Sequence, residues 1–311
     1  MNPSPGMAYR GRFAPTPSGA LHLGSLVTAL AGYLQARSQQ GLWLLRMDDL
    51  DRPRCVAGAD TEILRQLEAH GLHWDEPVRY QSAHEDDYRA ALESLRANDV
   101  LYPCHCTRNQ LAHDSFTGPD GPVYSGRCRK TVAWAEPHAL RLKLAPRMTL
   151  SLDDGWQGSM VRRSRRDIGD FVVRRADGQI AYQLACVVDE AAMGITEVVR
   201  GADLIGSSFR QIALMQQLGH TAPRYRHLAV LVDRNGRKLS KQNHAAAIRN
   251  QNASENLVTC LRLLAQNPPP DSLCLETPET LMRWAIRHWN PGLVPKRQII
   301  PIHGAAQQLL A

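Results

Sequence analysis

The sequence predicts an α/β protein wound doubly around a parallel sheet, and three observations carry that reading. A short strand ending near Phe13 meets a turn broken by Pro15, Pro17 and Gly19. From Leu21 a long helix follows, with Leu23, Leu26, Val27, Leu30, Ala31 and Leu34 at helical spacing and Gly41 as its stop. Residues 42–47 (Leu-Trp-Leu-Leu-Arg-Met) are then a continuous apolar run, the mark of a strand buried on both faces. Strand, helix and strand in this order form a βαβ unit, and ligands of such sheets collect at the carboxyl ends of the strands.

The first turn is thus an anion site in outline, since a helix N-terminus presents free N–H groups and a positive dipole end. His22 and Ser25 at the helix entrance can donate to phosphate, and Gly24 lets a flat ligand approach the backbone. Taken alone, the same residues describe a helix capped by a histidine. Asp48, at the end of the second strand, falls beside this turn. Asp49 and Asp51 read equally well as a solvated loop.

The 311 residues suffice for two or three structural units, and 43% hydrophobic with 22% charged content is ordinary for a globular enzyme. The net charge of +7 suits a polyanion such as RNA, although plain basic enzymes share it. The first residues lack a basic and an apolar region, no stretch approaches 18 apolar residues, and the expected location is cytoplasmic, with no membrane partner. Seven cysteines, three of them clustered, fit a reduced compartment and one metal site better than a disulfide scaffold.

Further along, Asp60 is expected to cap a helix carrying Ile63, Leu64 and Leu67, and Ser82 with Glu85 to form a capping box for the next. Cys104, Cys106 and Cys128 then flank a loop rich in Gly, Pro and Asp. Three thiols so close suit structural zinc, against the plainer reading of buried free thiols. Spacing leaves the fourth ligand open among His105, strained between two ligands, His113 and Tyr124. Residues 138–144 and 149–152 alternate like strands, with Asp153-Asp154-Gly155 as a turn. Arg162, Arg163, Arg165 and Arg166 form either a solvated face or a grip on a phosphate backbone. A hairpin is expected at 171–184, turning on Asp177-Gly178 and placing Tyr182 on its second strand. A strand from Thr196 ends in Arg200 and Asp203, and Ser207 and Ser208 precede a helix. A last strand (227–233) and a turn lead to Lys238-Leu-Ser-Lys241-Gln242, whose two lysines can close over a triphosphate or simply be solvated. Residues 243–311 read as helices at 245–248, 257–264 and 281–288 plus a Pro-rich tail.

His22-Leu-Gly-Ser25 and Lys238-Leu-Ser-Lys241-Gln242 resemble the two signature motifs of class I aminoacyl-tRNA synthetases, in order and in the expected strand-end contexts. Arg12-Phe-Ala-Pro-Thr-Pro-Ser-Gly, Arg46-Met-Asp48-Asp49-Leu-Asp51 and Arg200-Gly-Ala-Asp203-Leu are similar to the glutamyl-tRNA synthetase branch, over residues 9–243. Within it the pattern most resembles the glutamyl-Q tRNA(Asp) synthetases, which have the catalytic half without the anticodon-binding cage; residues 243–311 are too few for a complete cage. Ser25 stands where many class I enzymes have His, Gln242 where Ser is commonest, and Asp48 where the branch usually has Glu.

The resemblance implies a Rossmann-like class I core divided at 8–99 and 178–242, a zinc-bearing insert at 100–177 for RNA contact, and a helical C-terminal region at 243–311. It implies activation of glutamate by ATP, without tRNA, and transfer to queuosine in the anticodon loop of tRNA(Asp). Glutamate is expected on Arg12, Phe13, Ala14, Pro15, Thr16, Asp48, Tyr182 and Arg200. ATP is expected on His22, Gly24, Ser25 and Lys241, with His22, Ser25, Lys238 and Lys241 as catalytic groups and Mg²⁺ accompanying ATP. It makes Cys104, Cys106, Tyr124 and Cys128 the ligands of one structural zinc per chain, in a monomer. The rival expectations are a short glutamyl-tRNA synthetase charging a tRNA 3′ end, a nucleotidyltransferase of the same fold acting on a small acid, and an RNA-binding protein with an inactive site.

Overall fold

The computed structural model describes residues 8–302 apart from 131–133, 234, 240–245, 268 and 275. The chain opens with β1 (Arg10–Phe13), α1 (Leu23–Ser38) and β2 (Leu42–Met47), then α2 (Ala59–Ala69), β3 (Arg79–Tyr80) and α3 (Glu85–Ala97). An excursion follows through β4 (Leu101–Cys104), α4 (Arg108–Asp114), β5 (Phe116–Gly118), β6 (Gly121–Val123), β7 (Ala139–Leu142), β8 (Thr149–Asp154) and β9 (Gly158–Arg163). A π turn at Ser164–Ile168 and β10 (Phe171–Arg174) complete it. The core resumes with α5 (Tyr182–Ala192), β11 (Glu197–Gly201), α6 (Ile205–Leu218), β12 (Arg224–Leu228) and β13 (Val230–Val232). The chain ends in α7 (Ala253–Leu263), α8 (Asp271–Cys274), α9 (Pro278–His288) and β14 (Ile299–Pro301).

The parallel sheet follows the expected winding. β1 pairs with β2 from Arg10 opposite Leu42 to Phe13 opposite Leu45, and β3 extends β2. On its other side β1 lies against β11. The Thr196 N–H donates to the Arg10 carbonyl at 2.9 Å and the Arg10 N–H to Thr196 Oγ1 at 2.9 Å. β11 pairs in parallel with β12, giving the spatial order β3-β2-β1-β11-β12. The winding therefore reverses between β1 and β11, and such a switch point opens a crevice at the strands' carboxyl ends.

Two cores sandwich this sheet. One joins α1 to Trp43, Leu45 and Met47 of β2 and to Leu257, Leu261, Leu281 and Ala285 of α7 and α9. The other joins Leu184 and Val187 of α5, Phe209 and Leu214 of α6, and Val198 of β11 to the excursion strands. α1 is covered by the sheet on one side and by C-terminal helices on the other, so apolar residues run almost all round it. The Trp289 indole N–H donates to Gln35 Oε1 of α1 at 2.9 Å, which ties the end of the chain to its beginning.

Several local expectations change. Ser82 forms no cap: its N–H and hydroxyl donate to the Asp49 carboxylate at 2.8 and 2.5 Å, so α3 starts without it. Asp60 lies inside the first turn of α2, whose N-cap is Gly58, and accepts the Tyr80 hydroxyl at 3.1 Å. The hairpin beyond β10 shrinks to one bridge, Arg174 to Ile180, and Tyr182 begins a helix instead of a strand. Leu184, Ala185 and Val187 are buried there at helical spacing, which outweighs the local β-propensity. Ser207 and Ser208 lie within α6, not before it. The 227–233 strand breaks at Ala229 into β12 and β13. Residues 246–248 are extended, with Ala247 bridging His22, instead of helical. Asp154, placed in a turn by sequence, ends β8 and is buried.

Candidate functional site

A cavity of about 580 Å³ opens at the switch point. β1 and its turn line it with Arg12, Phe13, Ala14, Pro15 and Thr16. The entrance of α1 adds His22, Gly24 and Ser25, β2 adds Arg46 and Asp48, and α5 and β11 add Tyr182 and Arg200. Lys238 closes one side. All the residues proposed from sequence for the amino acid and nucleotide thus meet in one place, except Lys241, which lies outside the described residues together with Ser240 and Gln242. A groove of about 630 Å³ beside α3 holds none of them; there Arg52 and Arg89 pair with Glu85 and Arg174 with Glu136.

The turn is shaped by Gly19, whose φ of 130° is a conformation that side-chain-bearing residues rarely adopt. His22 caps α1: its Nδ1 accepts the Ser25 N–H at 3.3 Å, and the Ser25 hydroxyl lies 3.1 Å from Nε2. A Cβ on Gly24 would come within 3.1 Å of that ring, a tight contact that the His22 side chain would have to relieve by shifting. The first turn of α1 carries no acidic side chain, which keeps its dipole available to an anion.

Opposite, the charged floor is buried and interlocked. The Arg46 guanidinium donates to both Asp48 oxygens at 2.6 and 3.3 Å and to Cys186 Sγ at 3.3 Å, yet its Nη1 has no partner among the described residues. Burial raises the Asp48 pKa, against the opposing pull of Arg46. Arg12 donates twice to Glu190 Oε1, at 3.1 and 2.9 Å, and to the Val199 carbonyl at 3.3 Å, so much of its fork is already engaged. Arg200 donates through Nε to His227 Nε2 at 3.3 Å and through Nη2 to Ser208 Oγ at 2.7 Å. Its Nη1 is buried and unpartnered among the described residues. His227 Nδ1 lies 2.5 Å from Asp154 Oδ2, so this nitrogen is assigned the proton and Nε2 the accepting role. Two buried guanidinium nitrogens without partners, on Arg46 and Arg200, are groups that a bound carboxylate satisfies.

Sequence reasoning missed Glu190, Arg46, Ser208, His227 and Asp154 as members of this floor. Arg46 was within reach, because a charged residue inside an otherwise apolar strand requires a buried partner. Asp154 and His227 are 73 residues apart, and no local pattern joins them. Lys238 is paired with Asp203 at 2.5 Å across the cavity mouth.

The cysteines form a second centre on the excursion. Their three Sγ atoms lie within 4.8 Å of one another. The Tyr124 hydroxyl oxygen lies 3.6 Å from Cys104 Sγ and 3.4 Å from Cys106 Sγ, and accepts the Cys128 N–H at 2.8 Å. Tetrahedral zinc with its usual bonds separates sulfur ligands by about 3.8 Å, so this donor set is compact enough for the ion. His105 turns instead toward His138, at 5.7 Å between rings, and exposed His113 pairs with Asp114. The Arg141 guanidinium stacks 3.8 Å over the Tyr124 ring.

The family model described as tRNA synthetases class I (E and Q), catalytic domain, matches residues 8–271. A glutamyl-Q tRNA(Asp) synthetase of Methylococcus capsulatus is 46% identical over 304 residues, 97% of this chain and 98% of that protein. One of Chromobacterium violaceum is 49% identical over 288 residues, 92% and 95% of the respective chains. In fold, the chain is similar to the glutamate-tRNA synthetase of Elizabethkingia anophelis, with a TM-score of 0.80 and 24% identity, over 97% of this chain and 70% of that one.

Proposed function

The chain belongs to the class I glutamyl and glutaminyl tRNA synthetase family, in its glutamyl-Q tRNA(Asp) synthetase branch, and from that premise we propose how its cavity works. The enzyme activates glutamate with ATP and transfers it to the queuosine of tRNA(Asp). The observation that carries the residue assignment is the convergence of Arg46, Asp48 and Arg200 with the His22–Ser25 helix entrance on one cavity.

An oxygen of the glutamate α-carboxylate attacks the α-phosphorus of ATP; the bond to the β-phosphate breaks and pyrophosphate leaves. The protein supplies no covalent nucleophile, so alignment and charge stabilisation carry the rate. Arg200 takes the substrate's side-chain carboxylate through its unpartnered Nη1, Asp48 takes the ammonium, and Tyr182 orients the substrate. Arg12, already joined to Glu190, lends a second cationic edge. His22, Ser25 and the α1 N-terminus take the phosphates, and Lys238 with Lys241 stabilises the pyrophosphate. Class I synthetases use ATP with Mg²⁺, which here accompanies the nucleotide. In the second step a hydroxyl of the queuosine cyclopentene-diol attacks the acyl carbon and AMP leaves.

We assign the cysteine centre as structural zinc on Cys104, Cys106, Tyr124 and Cys128, holding the RNA-facing insert of residues 100–177 in place. We propose a monomer divided further into core segments 8–99 and 178–242 and a C-terminal region from 243. ATP–pyrophosphate exchange without RNA tests the cavity assignment. Exchange dependent on glutamate and lowered about 100-fold or more by Arg200→Ala is expected, since a lost charged contact costs a few kcal/mol. Exchange driven equally by other small acids contradicts it.

A further inference from the structure

A smaller cavity of about 250 Å³ lies where the cysteine-bearing excursion meets α5 and α6, and Tyr124, Arg141, Asp170, Gln183 and Arg210 are among its lining residues. Its polar groups are incompletely satisfied. Arg141 is only 6% exposed; its Nη1 donates to the Asp170 carbonyl at 2.9 Å, but its buried Nε has no partner. Gln183 Nε2 donates to Ser207 Oγ at 3.0 Å, while its buried Oε1 accepts nothing. The Arg210 side chain makes no hydrogen bond or ion pair among the described residues, and burial lowers its pKa, with only Asp120 opposing.

The nearby carboxylates do not cancel this charge. Asp120 accepts two bonds from Arg162, at 2.7 and 3.0 Å. Asp170 accepts from Arg129, Tyr102 and the Leu144 N–H. Arg141, stacked on the Tyr124 ring with its Nε still without a partner among the described residues, and Arg210 thus line a cavity too small for a whole nucleotide, beside one unpaired carbonyl acceptor. A phosphodiester matches the guanidinium donors, and a ribose hydroxyl matches the acceptor. The position suits an approaching strand: Tyr182 lines the reaction cavity and its neighbour Gln183 lines this one, so α5 forms a wall of both.

We propose that this cavity binds a backbone phosphodiester of the RNA substrate, with Arg141 and Arg210 on the phosphate and Gln183 Oε1 on a ribose hydroxyl. The inference rests on the proposed RNA glutamylation and adds to it a contact outside the reaction cavity. Because glutamate activation is proposed to need no RNA, it serves as an internal control.

The test uses the whole enzyme with tRNA bearing queuosine. Arg210→Gln is expected to leave glutamate-dependent pyrophosphate exchange unchanged while raising the KM for tRNA about tenfold, the effect of one lost charge-assisted contact. The salt dependence of transfer becomes shallower by roughly 0.7–1 in log–log slope. Arg210→Lys restores part of the loss, as a point charge replaces the fork. Gln183→Glu, nearly isosteric, also raises the tRNA KM by setting a carboxylate against the phosphate, and it decides the matter if Arg210→Gln loses exchange through misfolding. An unchanged tRNA KM and salt slope in the variants that retain exchange overturns the site. Wild-type enzyme that exchanges but transfers to no RNA overturns the functional reading instead.

Discussion

Arg200 reaches the reaction cavity as one member of a buried chain. Asp154 fixes the His227 tautomer, His227 accepts the Arg200 Nε–H, and Ser208 accepts from Nη2, which leaves Nη1 without a partner among the described residues, where the proposed substrate contact falls. Gln in place of His227 cannot span from Asp154 to Arg200 with the same geometry. His227→Gln is therefore expected to raise the KM for glutamate about tenfold in pyrophosphate exchange and to leave the KM for ATP unchanged; an equal loss on both substrates contradicts the positioning role. The same histidine leaves a pH signature. Burial, more strongly than Asp154 opposes it, lowers the His227 pKa from its ordinary 6.5. The unfolded chain then binds this proton more readily than the folded one. The stability of a neutral His227 is complete above about pH 6.5 and is lost as pH falls below it. Thermal unfolding followed from about pH 7.5 to 5.5 should show Tm falling more steeply in the wild type than in His227→Gln. A parallel fall in both proteins contradicts this.

At the scale of elements, the excursion from β4 to β10 carries the cysteine centre, while α1, β1, β2 and β11 carry the reaction cavity. Cys128→Ser is expected to lower bound zinc and to expose residues 104–130 to limited proteolysis, with pyrophosphate exchange retained and transfer to RNA lost. Loss of exchange in step with zinc places the metal's role in the core instead. The sequence made the first βαβ unit legible, because the β1 turn, the helical stripe of α1 and the apolar β2 are each local patterns. The start of α5 was not legible. Ile180 to Leu184 has the composition of a strand, and only burial against α6 and β10 makes it a helix. Ser82 looked like a cap because capping boxes are short, yet its actual partner, Asp49, lies 33 residues away. Arg200 and Asp48 could be placed at the cavity from sequence because each stands at the end of a sheet strand, whereas Tyr182, expected on a strand, was named only through the resemblance. Asp154, His227 and Glu190 had no such signal, because their pairings exist only once distant strands and a helix are brought together.

For the whole molecule, the winding brings the residues proposed for the amino acid and the nucleotide to one crevice, α7 and α9 pack on α1, and α5 is shared between that crevice and the smaller arginine-lined cavity of the excursion. The net charge of +7 favours approach of a polyanion. The adenylate formed in the crevice needs an acceptor diol that can enter it, and the two positions a tRNA can offer are the modified base of the anticodon loop and the 3′-terminal ribose. The most direct measurement incubates the enzyme with labelled glutamate, ATP and tRNA(Asp), with and without queuosine, and maps the label on RNA fragments. The account predicts label in the anticodon fragment, only when queuosine is present. Label on the 3′-terminal adenosine, or label independent of queuosine, would contradict it.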